Sequence, residues 1–518
     1  MPQRETCHRR LRHARCFLTA FILFSAASAA RSDDAPVNAV SIGTEKQLFV
    51  DDHIIEKMTG IDRELGVVTK ANGGRKIAFW ITGTDGQRKT LPVWQLFHAV
   101  YYDETRKVFR MWCRGLPGDD ALHPDGSPNW DTVRYVYCES SDGVNFDFKS
   151  ELQGLYSRGD YNLVVTFEEQ EPDPQHRYRI GYDGGRPELP NGACLAHSAD
   201  GIHWTPYNDG KPVTGRAADF SNQVYWDESV QLHRLFTRTD FGAAGGVDER
   251  RGVRMMTNPD VKRNPAGWTT VSEWKFDREG PDEWKRRQPY MMTDWIHHGV
   301  HFALMSVYEW PVDYSEGTET DQFTRHERDI NNFYIMTSRD AVHWDQRWVY
   351  EGKPFVPRGG NGAWDKDLLF PSSRIITLDD KHWIYYGGCN ERHGTPGVCL
   401  PKREPGIGLG WLRLDGFVGL KAGKQPGTLI TKPFRLEGSG LELNVDAIAG
   451  EVKVAVLDAN SAPIEGYSLE DAYGYRGIDD LRLKPRWRNH TDLRELRGRM
   501  IRLQIELQQC EIYSFQVR

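Results

Sequence analysis

Several things are scarce in this chain, and each scarcity closes off a class of function. There is no excess of basic residues: Lys and Arg number 66 against 73 Asp and Glu, a formal net charge of -7. No positive field for nucleic acid exists, so no nucleic-acid partner is expected. After residue 30 no apolar run is long enough to cross a bilayer as a helix. Cysteine is sparse, with eight in 518 residues, and none has the spacing of a zinc site. No metal and no cofactor is therefore expected. Cys113, Cys138 and Cys194 fall inside strand-like runs, the setting of buried thiols. Cys389 and Cys399 flank a short Gly/Pro loop, where export would permit a disulfide.

What the chain has in quantity is aromatics and glycine. Phe, Trp and Tyr make up 12%, with 17 Trp and 50 Gly, a mixture that favours short strands joined by tight turns. The length suits two or three domains, or one large repeat fold with an appendage. The first 30 residues are a different matter. Arg4, Arg9, Arg10, Arg12 and Arg15 precede an apolar run from Cys16 to Ala26, and Ala27-Ser28-Ala29 supplies small residues for cleavage. That is the pattern of a secretory signal, with the mature protein exported to the periplasm or beyond the cell and free of the membrane.

Two markers then alternate along the sequence. The first is a turn, Ser-x-Asp-Gly-x-x-aromatic. It occurs at Ser140-Ser141-Asp142-Gly143-Val144-Asn145-Phe146 and at Ser198-Ala199-Asp200-Gly201-Ile202-His203-Trp204. It returns as Ser338-Arg339-Asp340-Ala341-Val342-His343-Trp344. Asp caps such a turn, the next residue takes left-handed backbone, and the aromatic packs between neighbouring sheets. The second marker is a hairpin feeding an aromatic strand. It begins at Tyr102-Asp103-Glu104, Pro172-Asp173-Pro174, Trp226-Asp227-Glu228, His297-His298-Gly299 and Leu378-Asp379-Asp380. Units of roughly 50 to 80 residues fit four-stranded blades with loops. The expected fold is all-β: a five-bladed β-propeller over residues 46–411, opened by the strand QLFVDDHII (Gln47–Ile55). Residues 412–518 lack both markers and alternate with period two, as in Val452-Lys453-Val454-Ala455-Val456, which predicts a C-terminal β-sandwich.

In a propeller the innermost strands run parallel, so their starts converge on one mouth of the axis. The run before each hairpin is the expected inner strand. Its starts hold Trp94, Gln95 and His98; Asp160 and Asn162; Asp219, Ser221 and Asn222; Gln288 and Tyr290; and Trp364, Asp365 and Asp367. The third of these, Arg216–Arg238, places Asp219 facing the axis beside Asp160 and Asp365. Aromatic faces, amides and carboxyls together suit a sugar, and two carboxyls can divide acid and base work. Asp219 is the first candidate for a catalytic carboxyl and Asp365 the second. Asp160 is a third that would tune a partner. Arg158, Arg216, Arg286 and Arg287 lie near the same mouth, either to bind an anionic group or to hold carboxylates in place.

QLFVDDHII, the Ser-x-Asp-Gly-x-x-Trp turns and the ending from Gly466-Tyr467-Ser468-Leu469-Glu470-Asp471 to Tyr513-Ser514-Phe515 together resemble secreted bacterial proteins similar to glycoside hydrolase family 32. That family shares a five-bladed propeller with families 43, 62 and 68. The sequence lacks the Trp-Met-Asn-Asp-Pro-Asn-Gly, Arg-Asp-Pro and Glu-Cys-Pro segments of the sucrose-cleaving members, so their catalytic residues are not carried over. Similarity to family 43 implies a Glu general acid, for which Glu279, Glu309 and Glu391 (beside His393) are candidates, Glu309 foremost. The resulting expectation is an exported glycoside hydrolase acting on a poly- or oligosaccharide. The alternatives are a non-catalytic carbohydrate-binding propeller and an extracellular scaffold. An enzyme should gather two carboxyls in one axial pocket, a binder one or none, and a scaffold should have a plugged channel.

Overall fold

The computed structural model describes residues 38–118, 129, 132–155, 163–184, 192–214, 220–242, 249–309, 329–392 and 404–518, with positions 94–96 and 183 described in backbone only. The regular secondary structure of the described chain is nearly all strand. From Thr69 to Arg413 it forms four sheets, and consecutive strands pair antiparallel through most of each. One has six strands, with Val93–Asp103, Val108–Gly115, Arg134–Ser140 and Asn145–Glu151 at its centre. Two have four strands each, opened by Leu163–Phe167 and by Gln223–Asp227. The last has eight, opened by Arg287–His297, and its two halves meet at one parallel pairing, Asn331 with Leu368. Its final strand is Thr69–Lys70, from the far end of the chain, hydrogen-bonded to Gly406–Arg413. These strands read as continuous apolar runs rather than alternating ones because both faces are covered. Val300–Glu309 is buried at every position.

Side chains tie the opening strands to one another in order. Tyr101 Oη donates to Val165 O (3.3 Å), and Thr166 Oγ1 to Val224 O (2.6 Å). Ser221 Oγ donates to Met292 O (2.6 Å), Gln223 Nε2 to Asp294 O (2.9 Å), and Thr293 Oγ1 to Ser372 O (3.0 Å). Phe370, on Leu368–Pro371, meets Phe97 of the first at 5.3 Å between ring centroids. The result is a propeller-like ring of sheets.

The Asp-capped turns form the seams of that ring. Asp142 Oδ1 accepts from the backbone N–H of Val144 and Asn145, both at 2.8 Å, and Ser140 Oγ accepts from Gly143 N–H at 2.9 Å. Asp200 with Ser198, and Asp340 with Ser338, repeat the pattern. Gly143, Gly201 and Ala341 all have positive φ (73°, 80° and 61°). Each glycine carbonyl then receives an aromatic donor from the adjacent sheet: Tyr385 Oη to Gly143 O (2.8 Å) and Trp112 Nε1 to Gly201 O (2.7 Å).

The opening strand is placed differently from expectation. Gln47–Leu48 pairs with Cys510–Val517, and Ile55–Thr59 with Gly427–Thr431, inside a ten-stranded sheet built mainly from residues 418–517. Phe49, Ile54 and Ile55 lie in its core with Leu443, Ile505 and Phe515. An apolar run with turn residues satisfies any sheet that lacks a strand, so its pattern does not say which. Asp51 and Asp52 serve the turn: Asp51 Oδ1 accepts from His53 N–H (3.0 Å), and the two pair with Arg339 and Arg63. Cys113, Cys138 and Cys194 are buried, as expected, while Cys399 lies outside the described residues. No described helix is long and apolar enough to cross a membrane.

Candidate functional site

Of the residues expected at the strand-start mouth, Asp160, Asn162, Asp219 and His393 lie outside the described residues, as do Arg158 and Arg216. Trp94 is described only as backbone within Val93–Asp103. The others can be placed.

Two belong to the framework rather than to a binding surface. Gln288 accepts from Arg251 N–H (3.0 Å) and donates to Glu249 O (2.9 Å) and Trp284 O (2.7 Å), so its amide is spent on three backbone groups. Asn222 is fully buried and accepts from Thr237 Oγ1 at 2.7 Å. A polar residue at a strand start is needed there because backbone groups of neighbouring sheets must be satisfied away from water. His98 is likewise fully buried.

Asp365 and Trp364 form a cluster with the closing strand and the turn after it. Asp365 Oδ2 sits 2.6 Å from Lys70 Nζ and accepts from Tyr386 Oη at 3.1 Å. Trp364 stacks on Tyr386 (5.9 Å, 14°), and its Nε1 donates to Gly74 O at 2.8 Å. Lys70 is on the closing strand, so this cluster fastens the two ends of the ring. Burial, and after it the Asp365 carboxylate, push the Tyr386 hydroxyl well above its ordinary value.

Two residues further on, Asp367 stands directly before Leu368–Pro371 and is 3% exposed. Lys366 Nζ lies 2.6 Å from its Oδ2, its N–H donates to Cys389 O (3.0 Å), and its carbonyl accepts from Asn331 N–H (2.9 Å). Glu309 closes Val300–Glu309, where register pairs it with Arg287. Its Oε1 accepts from Arg287 Nε (2.7 Å), and its Oε2 from Asn332 Nδ2 (2.8 Å) and Tyr334 Oη (2.7 Å). Strand alternation puts Arg287, Glu309, Asn332 and Tyr334 on one face, and they line a cavity of about 220 Å³ with Arg286 and Arg358. Arg358 bridges to the other carboxyl's neighbourhood: its Nε donates to Asn332 Oδ1 (2.9 Å) and its Nη1 to Lys366 O (2.5 Å). Glu279 pairs with Arg286 (3.2 Å) and Arg287 (3.6 Å), the behaviour of a loop carboxylate. Glu391 is buried beside Asn390.

Toward the axis, Tyr290 packs with Phe97, Phe370 and Tyr308 at centroid distances of 6.1, 5.6 and 4.5 Å. These rings make a floor. Above it the Arg251 guanidinium lies 5.4 Å from the centroids of both Tyr290 and Tyr308. Arg251 reaches Glu249 at 3.1 Å, and Arg238 joins Glu249 and Asp240. Sequence reading passed over Arg238, Glu249, Arg251, Asn332, Tyr334 and Arg358. A signal existed for some of them: Arg238-Thr239-Asp240 and Asn331-Asn332 put polar residues at the ends of apolar strand runs.

No family model matches the chain, and no curated protein matches it. Solved structures do match. They include a thermostable family-43 glycoside hydrolase, 12% identical over 60% of this chain and 88% of that one, with a TM-score of 0.40. The Bombyx mori family-32 β-fructofuranosidase is 10% identical over 87% and 93%, TM-score 0.38. A fructofuranosidase from Schwanniomyces occidentalis complexed with fructose is 11% identical over 92% and 98%, TM-score 0.35. Families 32 and 43 are both represented among them.

Proposed function

We propose that the protein is an exported glycoside hydrolase whose active site is the strand-start mouth of a five-bladed β-propeller backed by a C-terminal β-sandwich. In this reading the six-stranded and the two four-stranded sheets are one blade each. The eight-stranded sheet is two, joined at the Asn331–Leu368 pair.

The observation that carries the reading is the chemistry of that mouth. Carboxyls (Glu309, Asp367), an amide (Asn332) and guanidinium groups (Arg287, Arg358) are knit together at that end of the strands, and Tyr290, Phe97 and Phe370 form a separate aromatic cluster. Sugars present the matching surface, with apolar faces for the rings and vicinal hydroxyls for the polar groups. Glu309 has donors on both oxygens. That suits it to bind hydroxyls and hold Arg287 rather than to deliver a proton. Asp219 is the reacting carboxyl in this proposal, and Asp160 its tuner. Cleavage proceeds by acid–base work divided between two carboxyls.

The test is release of reducing ends across a panel of polysaccharides. Asp219→Asn should lower turnover by about 10²–10⁴-fold with thermal melting unchanged. Asp365→Asn should do the reverse, lowering melting while turnover persists at permissive temperature. Full turnover in Asp219→Asn refutes the assignment. A non-catalytic carbohydrate binder is the second reading, favoured by the commitment of Asp365 to Lys70. It predicts retention of a glycan by the wild type with no reducing ends released.

A further inference from the structure

At the other end of the same strands lies a second cavity, of about 190 Å³. It is set some four residues beyond the Phe97–Tyr290–Phe370 floor, ~13 Å along a strand. Tyr101, Thr166, Tyr225 and Asp294 line it from the four opening strands, and Arg374 from just past Leu368–Pro371. All five strand runs therefore contribute, and the cavity sits on the axis.

Its charges are unevenly satisfied. Glu168 is occupied: Oε1 accepts from Trp226 N–H at 2.6 Å and Oε2 pairs with Arg179. Asp294 Oδ2 accepts from Tyr225 Oη and lies 2.8 Å from His301 Nδ1. Its Oδ1 is buried and has no hydrogen-bond partner among the described residues. Arg374 is half-buried, with its guanidinium carbon 5.1 Å from the centroid of Tyr101. The ring covers one face of that cation, and among the described residues no carboxylate pairs with it. A planar guanidinium held by its face keeps its N–H edge for a carboxylate, which it binds in a two-pronged way. Trp226, Trp295 and Phe167 give the cavity aromatic walls. At this volume, below the ~300 Å³ typical of drug-sized sites, there is room for one sugar ring and not for two.

We propose that this axial cavity binds a single uronic acid, with Arg374 reading its carboxylate and the aromatic walls packing against its ring. The site is separate from the strand-start mouth, and the proposal does not depend on hydrolysis there.

Calorimetric titration of the full chain tests it, with galacturonate and glucuronate as probes and galactose and glucose as neutral counterparts. At least one uronate should bind, and its neutral counterpart should bind at least roughly tenfold more weakly, the loss of one charge-assisted contact. Arg374→Met should weaken uronate binding by roughly tenfold to a hundredfold at unchanged melting temperature. Should that variant melt early, Arg374→Lys provides the second arm: it retains the charge without the fork and should still prefer the uronate, at reduced affinity. Equal affinity for neutral and acidic sugars overturns the proposal. So does uronate binding unaltered in Arg374→Met, or the absence of binding to either uronate.

Discussion

The ring and the ten-stranded sheet are both β, yet they bury different things. Within residues 416–518 the buried polar side chains, among the described residues, are Thr431, Glu442, Asn444, Arg502 and Ser514. The ring buries Arg114, Arg179, Arg234, Arg238 and Arg251, all at most 4% exposed, along with Asp227, Asp365, Asp367 and Glu283. Taking charges out of water is costly unless they are paired, and even good pairs seldom outdo an apolar core. A ring assembled for stability alone would resemble its neighbour. The difference teaches that the ring's sheets are fastened by buried ion pairs, while the ten-stranded sheet is held by apolar packing.

The contrast can be attacked at its most expensive point first. Arg238 holds Glu249 and Asp240 while 2% exposed. Arg238→Met should therefore cost about 3–5 kcal/mol by urea unfolding, because it removes a buried cation shared by two carboxylates and leaves Glu249 with Arg251 alone. A loss under about 1 kcal/mol would mean that the network is solvated and the contrast overstated.

The seams come next. A Cβ on Gly201 would stand 2.8 Å from Cζ2 of Trp112, on backbone with φ of 80°. Gly201→Ala should cost about 2–4 kcal/mol in strain and overpacking. Segment-resolved hydrogen exchange should show the loss in the ring, with residues 418–517 still protected. Uniform loss of protection would show that the two regions unfold as one.

The smallest effect is that of acid. Burial pushes the Asp142 carboxyl up, but hydrogen bonds from the side chain and backbone of Asn145, then from Val144 and Ser140, outweigh it and hold it at about 2. Asp200 is held at about 2 in the same way, by His203, Ile202 and Ser198 against burial. A folded value below the ordinary 3.8 means stability that is complete above that pH and lost as pH falls from 3.8 toward 2. Each turn is solvent-facing, so each should contribute about 1 kcal/mol or less. Denaturant titrations from pH 6 to 2 should show the ring loosening first, with a shallower slope in the Asp142→Asn, Asp200→Asn double variant. An unchanged slope would remove these turns from the account.

Much of the scaffold was legible because its signals are local. The Ser-x-Asp-Gly turn names its own cap and its own left-handed residue, and the five hairpins announce the strands before them. The site was less legible. Gln288 and Asn222 carry the residue types of a sugar subsite, yet the Gln288 amide is consumed by three backbone groups and the Asn222 oxygen by Thr237, demands that arise only once the strands meet. Asp365 reads as an axial carboxyl until Lys70, 295 positions away, arrives on the closing strand.

By itself, then, the sequence determined the strand-and-turn grammar, the change of character after Leu414, and the polar quality of the strand starts. Those properties depend on residues within a few positions of one another. Only the tertiary structure decided that Gln47–Ile55 joins the ten-stranded sheet, and that Asp365 fastens the ring while Glu309 gathers Arg287, Asn332 and Tyr334. It also decided that Asp294 and Arg374 share a cavity at the opposite end. These outcomes depend on which distant chain segments supply the compensating donor or charge, and residue spacing holds no record of that.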